Sequence, residues 1–346
     1  MHAARVVTYN VLSDRLAGAD HFTACDPANL KSGTRLGRIK SKLEAECGKS
    51  SVICLQEVSA MWAGEFHVFF ARMGYGFVVS NYGKSFNGYM GVGVAYPLAA
   101  YEIIDADLSR VTDTKKMGWP KDPSVKKPSD LQKRLSRVVE GFKTVFGVER
   151  PQKTGYEAAE RRFNTMVTLT LKDRVDGVEF CVATYHMPCA FYDPPLMGMH
   201  VAMAVQHAQR LAQQRPLALV GDWNIKPCDG TYAFITSGDA NKLKEAKPSI
   251  PEYDEWSVDE GLVAMRSAYA VKCGSEPDFT NWAIIRDGEP FIETLDYIFI
   301  SDKVEVRDVD SLPHRSEVDD NPFPSETEPS DHVMIGAYLN FPGPRK

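Results

Sequence analysis

Four apolar runs in this chain each end on a residue able to do acid–base or metal chemistry. Val6-Val7-Thr8-Tyr9 runs into Asn10, and Val52-Ile53-Cys54-Leu55 into Gln56-Glu57. Val182-Ala183-Thr184-Tyr185 runs into His186, and Leu217-Ala218-Leu219-Val220 into Gly221-Asp222-Trp223-Asn224. Near the C-terminus Asp296 stands in Leu295-Asp296-Tyr297-Ile298, and Ser330-Asp331-His332 precedes a last apolar run. Buried charges are costly unless paired or bound to metal. Strand ends converge at one sheet edge, so these groups are predicted to share one site. No Cys-x-x-Cys pair and no zinc spacing occurs. The candidates are mostly carboxylates and amides, hard oxygen donors that favour Mg²⁺, with Mn²⁺ as the alternative. A carboxylate-rich set with two histidines points to phosphoester chemistry.

The elements that must carry these residues read as mixed α/β. The β-branched run at 6–11 predicts a strand. Leu36, Ile39 and Leu43 predict a helix over about 35–47, and a second is expected over 61–73. Residues 166–171 and 179–184 predict a hairpin. Met197, Val201, Val205 and Ala208 recur at helical spacing up to about Gln214, with His200 and His207 opposite that stripe and expected to face solvent. Strands and helices mix without strict alternation, which favours packed sheets with outer helices over a barrel.

At 346 residues the chain can bury a large core without metal or disulfide staples. Its net charge of -6 excludes a generally basic nucleic-acid coat but not a local basic patch. Such a patch is expected over 110–162, where 14 Lys or Arg face 7 Asp or Glu. The prolines there predict an excursion from the core, with a helix over about 130–146. Lys115, Lys116, Lys126 and Lys127 are its candidate polyanion contacts. No apolar stretch is long enough to span a membrane, and residues 1–6 carry no secretory signal. Seven cysteines, an odd number, with Cys54 and Cys181 in apolar runs, favour a reducing compartment. Cytoplasm or nucleus is expected, or mitochondria if a transit peptide has been removed. No protein partner is indicated.

In order and spacing, Asn10, Gln56-Glu57, His186, Gly221-Asp222-Trp223-Asn224, Asp296-Tyr297-Ile298 and Ser330-Asp331-His332 resemble the endonuclease/exonuclease/phosphatase superfamily. The resemblance implies a DNase I-like four-layer α/β/β/α sandwich: two mostly antiparallel sheets face to face, helices outside, the site at the sheet edges. It implies one domain over 1–346, with the basic stretch as an insertion. It also implies Glu57, Asn10 and Asp331 at the metal, Asp222 activating water, and Asn224 and His186 on the phosphate. Asp296 would orient His332. The opening Tyr9-Asn10-Val11-Leu12-Ser13-Asp14, Leu55-Gln56-Glu57-Val58 and Thr280-Asn281-Trp282 resemble the carbon-catabolite-repressor deadenylase, Angel and nocturnin-like branch. Abasic-site endonucleases carry tyrosine in place of His186, and inositol 5-phosphatases carry Cys-Asp-Arg in place of Leu295-Asp296-Tyr297. The segment Met187 to Pro195 departs from the usual deadenylase pattern.

The resulting expectation is a Mg²⁺-dependent phosphodiesterase, a 3'→5' exoribonuclease of deadenylase-like type acting on single-stranded RNA. Phe191, Tyr192, Phe279 and Trp282 are the candidates to stack on bases, each stack worth about 1–3 kcal/mol. The rivals are a phosphatase, a sphingomyelinase-like lipid hydrolase or a DNA endonuclease on the same scaffold, and a binding module with a dead site.

Overall fold

A computed structural model describes residues 1–121, 123, 155–286, 288–318 and 322–343. The helix expected over 130–146, with Lys126 and Lys127, lies outside the described residues. Strands β1 (His2–Asn10), β2 (Val52–Val58), β3 (Tyr75–Asn81), β4 (Gly91–Pro97), β13 (Glu305–Val309) and β14 (Ile335–Phe341) form one six-stranded sheet, ordered β13-β14-β1-β2-β4-β3. Strands β5 (Tyr101–Arg110), β6 (Thr165–Asp173), β7 (Glu179–His186), β8 (Leu217–Asp222), β9 (Arg266–Ser267) and β12 (Asp296–Ile300) form the other, ordered β5-β6-β7-β8-β12-β9. A two-stranded ribbon, β10 (Asn281–Ala283) with β11 (Phe291–Glu293), stands apart. Among the described residues only β1–β2 and β7–β8 pair in parallel, so the sheets are mostly antiparallel.

Period-two alternation explains the unbroken apolar runs, because both faces of each central strand are covered. Val6, Cys54, Val94, Leu169, Val182, Val220 and Ile298 point into the layer between the sheets. Their neighbours Val7, Ile53, Leu55 and Ala95 face outward onto helices of the first sheet. Cys181, Ala183, Leu219 and Phe299 do the same on the second. After the short α1 (Pro27–Leu30), α2 (Ser32–Gly48) buries Ile39 and Leu43. Helix α3 (Ala60–Arg72) starts where Ser59 accepts from Trp62 N, and it buries Trp62, Phe66 and Phe70, each four residues on. Beyond α4 (Gly155–Glu160), α5 (Pro194–Ala212) is capped by Asp193, whose carboxylate accepts from Leu196 N. The result is the four-layer α/β/β/α sandwich that the motifs implied.

Two expectations need correction. His200 and His207 are buried, not solvent-facing, because α5 is apolar on nearly all sides and is covered by α4 and the 240–265 segment as well as by its sheet. His200 Nδ1 meets Tyr185 Oη at 2.8 Å and Nε2 meets the Ala159 carbonyl, while His207 Nε2 meets Asp107 Oδ1 at 2.9 Å. Burial pushes His200 down to about 3. Lys115 is likewise internal: its ammonium pairs with Asp254 at 2.7 Å between Trp119 and Trp256. Lys116 pairs with Glu260. Lys115 is therefore not free to meet a polyanion, whereas Lys116 stays exposed in a surface pair.

Candidate active site

The strand alternation that fills the inter-sheet layer also delivers the polar residues to it. Thr8 and Asn10 continue the inward positions of β1, Gln56 those of β2, Thr184 and His186 those of β7, Asp222 those of β8. In register, Asn10 lies beside Gln56, His186 beside Asp222, and Asp222 beside Asp296. Gln56 Nε2 joins the sheets by donating to Thr8 Oγ1 and Thr184 Oγ1, at 2.8 and 2.9 Å. This hydrogen-bonded floor marks where the apolar layer ends and the site begins.

Glu57 has the wrong alternation and reaches the site by a local device. The register of β2 against β4 shifts between Leu55 and Val58, and Glu57 takes φ 59°. Left-handed backbone at a non-glycine residue costs roughly 1–3 kcal/mol. It persists because both carboxylate oxygens are held: Oε1 accepts from Asn10 Nδ2 at 3.1 Å and Oε2 from Ser13 N at 3.0 Å. Asn224, at φ 48°, makes a similar turn after β8. Gly221 permits the approach of β7, since a Cβ there would lie 2.0 Å from the Tyr185 carbonyl oxygen.

Asp222 is the hub. Its Oδ2 accepts from Asn10 Nδ2 at 2.9 Å and its Oδ1 from Asn224 N at 2.9 Å. His186 Nε2 lies 3.5 Å and His332 Nε2 3.8 Å from Oδ2. Burial pushes the Asp222 carboxyl up to about 6, against the pull of His332 and His186. Asp296 Oδ2 meets His332 Nδ1 at 2.7 Å and accepts from Thr280 Oγ1 at 2.7 Å. Burial disfavours charge on His332, but Asp296, Asp331 and Asp222 outweigh it and hold the imidazole well above its usual range as an imidazolium. On the other flank Tyr82 Oη meets His186 Nδ1 at 3.0 Å, and Asn164 Nδ2 donates to the His186 carbonyl. Asn224 Nδ2 donates to the Met187 carbonyl at 3.0 Å.

The donor set suits a hard divalent cation. Glu57, Asp222, Asp296 and Asp331 converge with one imidazolium among them, leaving an excess of negative charge out of water. Burial, with the Glu57 charge, raises Asp331 above the usual carboxylate range. The ligand atoms of Asp222, Asp296 and His332 lie within 4.8 Å of one another. Asp296 and His332 are already bonded to each other, however, so that trio acts as an acid–imidazole pair. Glu57 and Asp331 line the open cleft and are the carboxylates that could hold a cation there.

Cleft and core divide the four aromatic candidates. Phe279 and Trp282 belong to the inter-sheet core, at 0% and 4% exposure, so neither can stack on a base. Trp282 lies in the short strand β10 and Phe279 in the segment just before it, and both rings pack into that core. Backbone groups of this segment instead fix the last motif: Trp282 N donates to the Asp331 carbonyl, and Val333 N to that of Thr280. Phe191 lines the cleft, half-exposed, 6.3 Å from Phe291. Tyr192 is exposed, and its hydroxyl accepts from Arg162. The cleft has a volume of about 720 Å³ and also exposes Lys84, Phe86, Arg161 and Phe163.

Sequence reasoning missed Tyr82 and Arg35. Tyr82 follows Phe77-Val78-Val79-Ser80-Asn81, the same apolar-run-then-polar signal that marks the other site residues. Arg35 stands four residues before Ile39 on the buried stripe of α2, where a charged residue is anomalous. It is fully buried, and it donates to the carbonyls of Pro329 at 2.7 Å and of Val11 and Leu12 at 2.6 Å each.

A model of the Endonuclease/Exonuclease/phosphatase family matches residues 7–332. Nocturnin of Homo sapiens is 24% identical over 344 residues, covering 97% of this chain and 65% of its own length. 2',5'-Phosphodiesterase 12 of Homo sapiens is 27% identical over 368 residues, covering 97% of this chain and 51% of its own. Carbon catabolite repressor protein 4 homolog 4 of Arabidopsis thaliana is 35% identical over 170 residues, covering 45% and 36%. This chain thus spans from 36% to 65% of the length of these relatives. Among solved structures, ANGEL2, described as a 2',3'-cyclic phosphatase and bound to adenosine-2',3'-vanadate, matches with TM-score 0.71 at 17% identity, covering 97% of this chain and 95% of that one. The human nocturnin catalytic domain with bound sulfate matches with TM-score 0.62 at 19% identity, covering 98% and 95%. These relatives fall in the branch that the opening motifs resembled. Among the described residues no helix is long and apolar enough to cross a membrane. The chain belongs to the endonuclease/exonuclease/phosphatase family.

Proposed function

We propose that this chain is a Mg²⁺-dependent phosphodiesterase that shortens single-stranded RNA from its 3' end, with 1–346 as one domain. The observation that carries the reading is the array His186–Asp222–His332–Asp296 beside Glu57 and Asp331, in a cleft whose rim is aromatic and cationic. Asp222, fixed from both sides by Asn10 and the Asn224 amide, is placed to take the proton of the attacking water. Its raised carboxyl pKa suits a base working near neutrality. His332 directs Nε2 toward the same point while Asp296 holds its Nδ1, so the imidazolium donates to a phosphate oxygen as charge develops there. His186, steadied by Tyr82, does so from the opposite flank, and the second N–H of the Asn224 side-chain amide is left for the phosphate. Held by Glu57 and Asp331 with Asn10 adjacent, Mg²⁺ would supply Lewis-acid stabilisation of the phosphate oxygens.

A substrate panel tests this: 5'-labelled oligo(A), mixed RNA, 2',5'-linked oligoadenylate, single-stranded DNA, a phosphomonoester and sphingomyelin, each with Mg²⁺ and with EDTA. A ladder of RNA products shortened one nucleotide at a time, absent in EDTA and restored by Mg²⁺ or Mn²⁺, is expected. Release of inorganic phosphate alone makes it a phosphatase, and full activity in EDTA rejects the metal-assisted mechanism.

A further inference from the structure

The cations expected on the basic stretch are partly consumed in internal pairs, yet two others stand at the mouth of the cleft. Lys84 follows Tyr82 by two residues, and Arg161 precedes Asn164 by three. Tyr82 and Asn164 both hydrogen-bond His186, at its Nδ1 and its carbonyl. The wall on the His186 side is therefore built from two segments anchored to a residue of the site, and each carries a cation. Neither the Lys84 ammonium nor the Arg161 guanidinium meets a carboxylate among the described residues. Phe163, half-exposed, lines the same mouth, with Lys84 Nζ 5.7 Å and Arg110 Cζ 4.7 Å from its ring centroid. Arg110 fixes this turn by donating to the carbonyls of Glu160 and Arg162, at 2.6 and 2.8 Å.

Lys84, Arg161 and Phe163 also line a second cavity of about 590 Å³, which continues outward to Arg110 and Trp119. Its acids are Asp113, already met by Arg110, and Glu160, so the cavity keeps a positive balance. The part of the cleft around Phe291 differs. There Phe191, Ile285 and Phe291 are apolar, Glu289 is acidic, and the nearby Lys226 is neutralised by Glu293 at 2.6 Å. A phosphate chain passing the site is repelled beside Glu289 and attracted beside Lys84 and Arg161.

We propose that Lys84, Arg161 and Phe163 form a subsite for the nucleotide adjoining the scissile phosphodiester in a single-stranded nucleic acid, so that the chain leaves the site on the His186 side. This rests on the phosphodiesterase reading. A base stacks on the free part of the Phe163 ring, and the neighbouring phosphate lies between the two cations. A dinucleoside monophosphate has no second phosphate and cannot use the cations, whereas a hexanucleotide can.

The test compares Lys84→Gln/Arg161→Gln with wild type on a dinucleoside monophosphate and on hexa-adenylate. The variant's kcat/KM should fall at least about ten-fold further on the hexanucleotide than on the dinucleotide, through KM. The slope of log affinity against log salt for the hexanucleotide should flatten by about 0.7, as for one phosphate contact to a single strand. Equal losses on both substrates, or no loss on either, overturn the subsite. If wild type cleaves neither, the phosphodiesterase reading fails, and binding of a fluorescent hexanucleotide in EDTA decides the subsite by itself. A ten-fold weaker affinity in the variant supports it, and an unchanged affinity overturns it.

Discussion

Replacing Arg35 with methionine tests whether the site is held together from behind. Arg35 donates to Pro329 O, Val11 O and Leu12 O, so one side chain joins α2 to the loop after Asn10 and the loop before Asp331. Hydrogen bonds from a charged donor contribute about 1.5–3 kcal/mol each, so three come to roughly 6 kcal/mol. Burial opposes this. It is the largest influence on the guanidinium and pushes it below its ordinary value, down to about 10, which corresponds to roughly 3 kcal/mol against the charged form. The net is about 3 kcal/mol, a large share of the 5–15 kcal/mol typical of a whole protein. An apolar substitute can be harmless when both partners of a buried ion pair are replaced together. Here the partners are backbone carbonyls, which no substitution removes. Urea denaturation of Arg35→Met should therefore show a lowered midpoint at unchanged m-value, worth about 3 kcal/mol, and weaker Mn²⁺ binding. Arg35→Lys keeps the charge but cannot span carbonyls on two segments, so it should recover less than half of the loss. A Met variant within 1 kcal/mol of wild type, with Mn²⁺ affinity intact, would refute the reasoning.

Asp222→Asn keeps the shape and removes the base, and turnover should drop at least about 10²-fold with oligonucleotide binding retained; a near-native rate would place water activation elsewhere. Asp296→Asn removes the anion bonded to His332, so the imidazolium should lose its proton at lower pH. Activity on the alkaline side should then fall away earlier in the variant, and superimposable pH–rate profiles would contradict the pairing. His200, pushed down to about 3 by burial, stays neutral in the folded protein while an unfolded histidine protonates near 6.5. The unfolded state then binds more protons, and stability declines as pH falls below about 6.5, by roughly 2 kcal/mol at pH 5. His200→Gln should lack this component, so a wild-type–variant difference identical at pH 7.5 and pH 5 would count against it.

The site residues were legible because each ends a run whose alternation is itself legible. A strand buried on both faces is apolar throughout, so Asn10, His186 and Asp222 stand out against Val6, Val182 and Val220. The same alternation assigns them to one face, and short strands leave no room for them elsewhere. Glu57 is the exception that the pattern places on the wrong side. Only the shift of β2 against β4 and its left-handed backbone bring it in, and neither is written in the apolar–polar order. Its adjacency to Gln56 was enough to flag it, though not to orient it. Phe279 and Trp282 failed for the converse reason: an aromatic beside a motif residue looks the same in sequence whether it faces the cleft or the core.

His200, Lys115 and Arg35 share one cause of illegibility. Their polar partners lie on other elements, beyond the reach of local spacing: Tyr185 on β7 for His200, Asp254 for Lys115, and Pro329 for Arg35. A polar group can be buried only when partners are supplied, so its burial is decided by tertiary neighbours and not by its own spacing. Helical periodicity placed His200 opposite the apolar stripe, which is correct as geometry. The inference to solvent failed because α4 and the 240–265 segment cover that face too. Lys115 was counted as part of a basic excess, yet a lysine between Trp119 and Trp256 with an aspartate at its tip is a core element. Charge counts along a segment therefore overstate the field it presents. The field at the cleft is set by cations left without acids, and Lys84 lies well outside the stretch that composition singled out.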